Sequence, residues 1–357
     1  MRNRNMIGKK EYKDWSLKFH NDHAKKPIVM QMELTYRCPL HCVHCYTDCY
    51  NSAAFAEKEL STESVKNLMD KLYEAGCLWF TFTGGDPMAR SDFLKLYDYA
   101  KDKGFIFSVM TSLAALTDKI FEKMVQKPPF SIDMTLNGVT EDTYEKISQV
   151  KGSFEKVMRN IDRILAAKLP LKIKTLISKD NIHEIGKIES FLASKGFTFS
   201  PSSLIFARLN GDTTPCRHRL DTEEIIKMNF PEEECAAPAS DSNTELDPQP
   251  NRFYRCAIGN WQWHINPYGG LNICSCVREP SYDITDGDVT EGAKVLSDYV
   301  KNKSFSGSSE CKTCRIWHIC HSCPGKAKLE VNNEEIPVPY FCELAKREAE
   351  KLKMVKA

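Results

Sequence analysis

The chain has 357 residues, 42% of them hydrophobic, with 49 Lys and Arg against 48 Asp and Glu and a formal net charge of +1. That length suits one large α/β domain with a smaller one, and the near-neutral charge gives no electrostatic basis for nucleic acid or an anionic membrane as the main partner. No apolar run approaches the roughly 18 residues of a membrane span, and the basic stretch from Met1 to Lys10 leads into Glu11 and Asp14 rather than the apolar core of a signal peptide.

A polar arm over 1–26 precedes a predicted strand at 27–35, and a cysteine-rich loop follows it. Residues 61–76 read as a helix, with Ser61 as N-cap, an apolar stripe through Val65, Leu68, Met69 and Leu72, and Gly76 as its stop. The strand 78–83 runs into Gly84 and Gly85. The unit then recurs: helices near 92–103, 117–127, 140–168 and 182–195 lead to strands at 105–110, 130–136, 171–177 and 197–205. Six strands alternating with helices over about 180 residues predict an α/β fold, a partial (β/α)6 TIM-like barrel spanning 27–210, with a doubly wound open sheet as the alternative. In such a barrel, chemistry sits where strands meet the loops that follow them. Residues 211–255, polar and Pro-rich over 236–250, read as a connector or flap. The segment 256–342 is rich in Cys, Gly and Pro and short on helical periodicity, as expected of a region ordered more by metal than by a core, and 343–357 returns to a charged helix.

The 15 cysteines are the anomaly. They are odd in number and clustered, and nothing marks the chain for export, so metal binding in a cytoplasmic protein explains them better than disulfides. Cys38, Cys42 and Cys45 form CxxxCxxC directly after the first strand. Three thiolates on one tight loop can hold three irons of a cubane [4Fe-4S] cluster, leaving the fourth iron open. A zinc loop or three buried thiols would fit the same spacing. The second motif is Gly84, Gly85, Asp86 and Pro87 at the end of the second strand, where residues without Cβ let the backbone approach a ligand, or simply turn.

These residues resemble the radical S-adenosylmethionine (radical SAM) enzymes, over about residues 28–345. In that family the open iron chelates the amino and carboxylate groups of SAM, and an electron from the cluster cleaves SAM to a 5'-deoxyadenosyl radical. The resemblance implies that Gly84, Gly85, Asp86 and Pro87 stand for the GGEP motif beside the SAM amino group, with Asp86 in place of the usual Glu. It implies further cofactor contacts from Ser112, Thr135 and Asn137 at the ends of the third and fourth strands, and from His44 against adenine.

The C-terminal cysteines resemble the SPASM extension of radical SAM maturases, a small Cys-rich domain binding two auxiliary [4Fe-4S] clusters. The resemblance assigns Cys256, Cys274 and Cys323 to auxiliary cluster I and Cys311, Cys314, Cys320 and Cys342 to cluster II; the last Cys pair is one residue closer than in the family pattern. Cluster I is then one ligand short. Cys276 is a candidate, and an open iron is the reading favoured from sequence. In isolation the CxxC pairs 311/314 and 320/323 suit a zinc ribbon. Cys49, Cys77, Cys216 and Cys235 have no ligand role, Cys77 reading as core.

SPASM maturases mostly modify peptides or proteins. The implied function is therefore hydrogen abstraction from a ribosomally made precursor, giving a thioether or carbon-carbon crosslink, an oxidised residue or an epimer, with tetrapyrrole or other cofactor synthesis as the alternative. Implied partners are the peptide, a separate leader-binding protein, since only about 27 residues precede the first strand, and an electron donor such as flavodoxin or ferredoxin. A zinc-binding interaction module and a pure electron-transfer protein are the readings outside this class.

Overall fold

The computed structural model describes residues 26–230, 253–256 and 259–352. The arm up to residue 25, the middle of the connector and Cys235 lie outside these described residues. One sheet organises the chain, in the order β6-β5-β4-β3-β2-β1-β7-β8-β9. Strands β1 (Val29–Thr35), β2 (Trp79–Gly84), β3 (Ile106–Met110), β4 (Ser131–Thr135), β5 (Leu171–Leu176) and β6 (Pro201–Ser202) are parallel and lie side by side in sequence order. Sequential order without a reversal is that of a barrel wall, and it excludes the doubly wound alternative, whose strand order must switch.

The helices follow their sequence signals. Helix α1 (Thr62–Glu74) is capped by the Ser61 hydroxyl, which accepts from Ser64 N at 3.1 Å. It buries Val65, Leu68, Met69 and Leu72, one stripe at three- and four-residue spacing. Helices α2 (Phe93–Asp102) and α3 (Asp118–Gln126) repeat the pattern. The expected helical stretch over 140–168 is instead two helices, α4 (Glu141–Ser148) and α5 (Ser153–Ala166). Gln149 at φ 58° and Gly152 at φ 76° turn the chain left-handed between them, which ends a right-handed helix. Helix α6 (Ile185–Ser194) leads to β6, which is only two residues long where 197–205 was expected. Pro201, its first residue, brings no N–H to a ladder, so the pairing does not extend back toward 197.

Beyond Arg208 the chain is more ordered than its composition suggests. Within the expected connector, helix α7 (Thr222–Asn229) starts at a capping box between Asp221 and Glu224. Strand β7 (Gln262–Ile265) then pairs in parallel with the free side of β1, and β8 (Gly270–Asn272) and β9 (Ser281–Asp283) extend the sheet antiparallel. Helix α8 (Val289–Asn302), which the reading of 256–342 missed, buries Val289, Ala293, Leu296 and Val300. Helices α9 (Pro324–Val331) and α10 (Pro339–Lys351) complete the described chain. The last helix begins before 343, placing Cys342 in its first turn. Among the described residues no helix is long and apolar enough to cross a membrane.

The loops after β1 and β2 press together. A Cβ on Gly85 would stand 2.4 Å from Tyr36 O and 2.5 Å from Arg37 O, and one on Gly84, at φ 136°, would stand 2.1 Å from Thr35 O. These obstacles are backbone and cannot swing aside. Gly85→Ala is therefore expected to cost about 1–3 kcal/mol and to lower the thermal midpoint. Gly186→Ala, in α6 with nothing within 4 Å of the added carbon, should hold or raise it, with a gain in stability of up to about 1 kcal/mol. Equal melting of the two variants would refute this account of the loop contact.

Candidate active site

The loop after β1 carries Cys38, Cys42 and Cys45 across the C-terminal end of the parallel strands, and it is held from two sides. His41 N and Val43 N donate to Ser148 O and Ile147 O at 2.9 and 3.0 Å, so the carbonyls left unpaired at the end of α4 are satisfied by the cysteine loop. Asn51 accepts from Cys38 N at 3.1 Å and donates to Cys38 O at 3.1 Å and Leu40 O at 3.4 Å. No motif in the sequence singles out Asn51; its position 13 residues past Cys38 gives it a role only once the loop has folded.

The three sulfurs have donors aimed at them. Leu40 N reaches Cys38 Sγ at 3.5 Å, Asn137 Nδ2 reaches Cys42 Sγ at 3.4 Å, and the Thr47 hydroxyl lies 3.4 Å from Cys45 Sγ. Burial holds all three thiols above the usual range, Cys42 up to about 12; Cys45 adds to the shift at Cys42, and both add to the shift at Cys38. Three half-buried thiols sharing one loop suit a group that supplies positive charge and takes thiolates. Binding iron there releases protons. Among the described residues no three Cys, His, Asp or Glu side chains converge on a single metal ion. The cubane fits better than zinc because its cysteine ligands sit on separate irons.

The residues read as cofactor contacts surround this loop, though not all display their side chains. Asp86 is fully buried and accepts from Met88 N at 3.1 Å, the Thr111 hydroxyl at 2.9 Å, Ser112 N at 3.0 Å and the Ser112 hydroxyl at 2.6 Å. Asp86 and Ser112 are thus committed to each other, tying the β2 loop to the β3 loop. What Gly84 to Pro87 can offer a ligand is backbone. Burial raises the Asp86 carboxyl, with these donors opposing. Thr135 is exposed at the end of β4. Asn137 Oδ1 and His44 Nδ1 are buried polar atoms without a partner beside the cysteine loop, the condition of groups that await a ligand. Burial pushes His44 down to about 4, with His218 lowering it further and Asp180 opposing, so it is neutral at pH 7 and can stack or accept.

A cavity of about 570 Å³ in the C-terminal region is lined by Cys256, Cys274, Cys276, Cys311, Cys314, Cys320, Cys323 and Cys342. It brings together all seven cysteines singled out there, plus Cys276. Backbone N–H groups point at several of the sulfurs: Ser322 N at Cys320 (3.4 Å), Lys326 N at Cys323 (3.5 Å), and both Cys276 N and Val277 N at Cys274 (3.4 Å each). The thiols also raise one another. Burial raises Cys323, with Cys274 and Cys256 adding to it, and Cys274 and burial raise Cys276, with Cys323 adding. Burial raises Cys311 and Cys320, with Cys342 and Cys314 adding at Cys311 and those three at Cys320. Of the remaining cysteines, Cys77 is core, Cys49 Sγ lies 3.8 Å from Tyr46 O and Cys216 Sγ 3.7 Å from Glu330.

Sequence reasoning gave no sign of the contact that joins the two regions. Arg278, just past Cys276, donates from both terminal nitrogens to Glu33 of β1 at 2.8 and 2.9 Å. Burial alone would raise the Glu33 carboxyl; His264 beside it and Arg278, which also hydrogen-bonds it, hold it below the usual range. Burial and Arg278 keep His264 down at about 4 against the pull of Glu33, hence neutral at pH 7, so Arg278 carries the pairing.

Comparison with known proteins agrees with this geometry. Residues 32–192 match the Radical SAM superfamily model, a class that carries a [4Fe-4S] cluster and SAM. The Fe-coproporphyrin III synthase of Methanosarcina barkeri is 33% identical over 177 residues, 49% of this chain and 43% of that protein. The mycofactocin maturase MftC of Mycobacterium tuberculosis is 25% identical over 271 residues, 72% of this chain and 63% of that one. Streptococcus suis SuiB bound to S-adenosylmethionine superposes with a TM-score of 0.66 at 14% identity, covering 95% of this chain and 84% of that one, a likeness of fold. The chain spans about half the length of most of the curated relatives it matches.

The Asn51 clasp makes a testable claim. Asn51→Ala leaves the Cys38 N–H without its acceptor in a half-buried loop, at about 1–3 kcal/mol. The expected outcome is faster loss of iron from Cys38, Cys42 and Cys45 under a chelator, by roughly tenfold or more, with the C-terminal irons released at the wild-type rate. Unchanged release from both would remove Asn51 from the site.

Proposed function

We propose that this chain reductively cleaves SAM and uses the resulting radical to abstract hydrogen from a peptide or protein substrate, leaving a crosslinked, oxidised or epimerised residue. The observation that carries the reading is the half-buried CxxxCxxC loop at the strand ends with unpartnered polar atoms of His44 and Asn137 beside it. When bound, the open-cornered cubane supplies the electron that cleaves SAM, and the protein's task is positioning. Cys38, Cys42 and Cys45 would hold that cluster. Backbone of Gly84 and Gly85, with Thr135, Asn137 and His44, would line the SAM site, while Asp86 and Ser112 fasten the loops beneath it. The eight-cysteine cavity suits two auxiliary [4Fe-4S] clusters, which would take up an electron from the substrate. An electron donor such as flavodoxin or ferredoxin, a separate leader-binding protein and a cytoplasmic location complete the reading.

Two relatives frame the choice of substrate. The match to the mycofactocin maturase runs over 271 residues, well past the 161 that fit the family model, and so includes sequence outside the radical SAM domain. The match to the Fe-coproporphyrin III synthase covers 177 residues and favours a tetrapyrrole as the second reading. The longer match makes the peptide the better-supported substrate. Incubating the reconstituted protein anaerobically with SAM, dithionite and either the short peptides encoded beside its gene or an iron porphyrin separates the two, by mass change of the peptide or of the macrocycle.

Changing Cys38, Cys42 and Cys45 together to Ala is expected to abolish 5'-deoxyadenosine formation. Cys311→Ala or Cys342→Ala should retain uncoupled SAM cleavage and lose modified product. If the triple variant still forms 5'-deoxyadenosine, the cluster assignment is wrong.

A further inference from the structure

The turn after β8 distinguishes Cys276 from the other cysteines that lack a family role. On an extended strand, residues two apart point to the same side some 6–7 Å along. Here the chain curls back: Cys276 N and Val277 N both donate to Cys274 Sγ at 3.4 Å. Cys274 and Cys276 both line the eight-cysteine cavity.

A separate feature brings this turn against Cys323. Gly325 lies in the first turn of α9, two residues beyond Cys323, and a Cβ there would stand 2.7 Å from Val277 Cγ2, 3.2 Å from Cys276 Cβ and 3.3 Å from Cys276 C. Any side chain at 325 would push the Cys274–Val277 turn away from Cys323. The lack of one lets the two segments touch. Cys274, Cys276 and Cys323 thus come together at one part of the cavity, which Cys256, Cys311, Cys314, Cys320 and Cys342 also line.

We propose that Cys276 is the fourth protein ligand of auxiliary cluster I, closing the iron that the family pattern leaves open in this sequence. The proposal rests on the reading that the cavity holds two auxiliary clusters. On loading, the Cys276 thiol gives its proton to solvent and its thiolate binds iron, with no change in electron count. A substrate thiolate or amide then has no iron of cluster I to bind, and the cluster's role is electron uptake.

The test uses the full chain with Cys38, Cys42 and Cys45 changed to Ala, which leaves only the auxiliary irons, about eight per chain. A cubane with a corner lacking a protein ligand loses that iron to mild ferricyanide and shows the electron paramagnetic resonance signal of a [3Fe-4S] cluster. Little such signal is expected while Cys276 is present, and about tenfold more or greater after Cys276→Ala. If the Ala variant instead loses about four irons outright, their return in Cys276→Ser, whose oxygen can ligate, supports the assignment equally. A strong signal with Cys276 intact overturns it, as does a Cys276→Ala chain that keeps its iron and gives no added signal. Absence of all iron from the triple variant would overturn the auxiliary-cluster reading as well, while leaving the radical SAM site untouched, since that site has been removed by design.

Discussion

The bidentate pair between Glu33 and Arg278 is the constraint on which the site's arrangement depends. Glu33 is buried in β1, five residues before Cys38; Arg278 lies two residues past Cys276 and also donates to Ser275 O at 2.8 Å, while Asn272 Nδ2 holds Arg278 O at 2.9 Å. An unpaired charge in that position would cost several kcal/mol, so each member demands the other. The planar guanidinium meets the carboxylate with two parallel hydrogen bonds, which fixes orientation as well as distance. One side of the pair sets where the first cysteine loop leaves the sheet, and the other sets where the Cys274–Val277 turn sits.

A second economy lies in the broken helix. Had α4 run on into α5, its terminal carbonyls would have been spent inside the helix. The left-handed break at Gln149 and Gly152 frees Ile147 O and Ser148 O, and the cysteine loop takes both. The loop is thus fastened by backbone on one side and by Asn51 on the other, leaving its sulfurs to face inward. Beneath it, Asp86 joins β2 to β3 through Thr111 and Ser112, so the floor of the site is stiffened by side chains whose sequence motif suggests direct contact with a ligand.

Much of this was legible in the sequence. Period-2 apolar strands and capped amphipathic helices give six βα units, and cysteine spacing picks out seven of the eight C-terminal sulfurs that line the cavity. What escaped has definable causes. Helix α8 carries its stripe at Val289, Ala293, Leu296 and Val300 under an Asp288 cap, but Gly292, buried against Tyr282, lowers its helical propensity and hides it among Gly-rich neighbours. The capping box at Asp221 and Glu224 was a readable start for α7 that the polar surroundings obscured. Residue pairs such as Glu33 with Arg278, separated by 245 positions, leave no local trace, because burial rather than spacing makes them partners. Cys276 sits between these extremes: visible as a thiol, its orientation was decided by a turn and by the missing side chain of Gly325.

The pairing of β7 with β1 has a structural corollary of its own. A parallel wall that begins at β1 would present the bare N–H and C=O groups of Val29 to Met32 to solvent, an invitation to intermolecular strand addition. The cysteine-bearing half of the chain covers that rim, with β8 and β9 moving the border outward to short antiparallel strands. The segment that gathers the thiols therefore also works as a shield against self-association, and severing the chain ahead of Gln262 would yield a sticky remnant instead of an autonomous barrel.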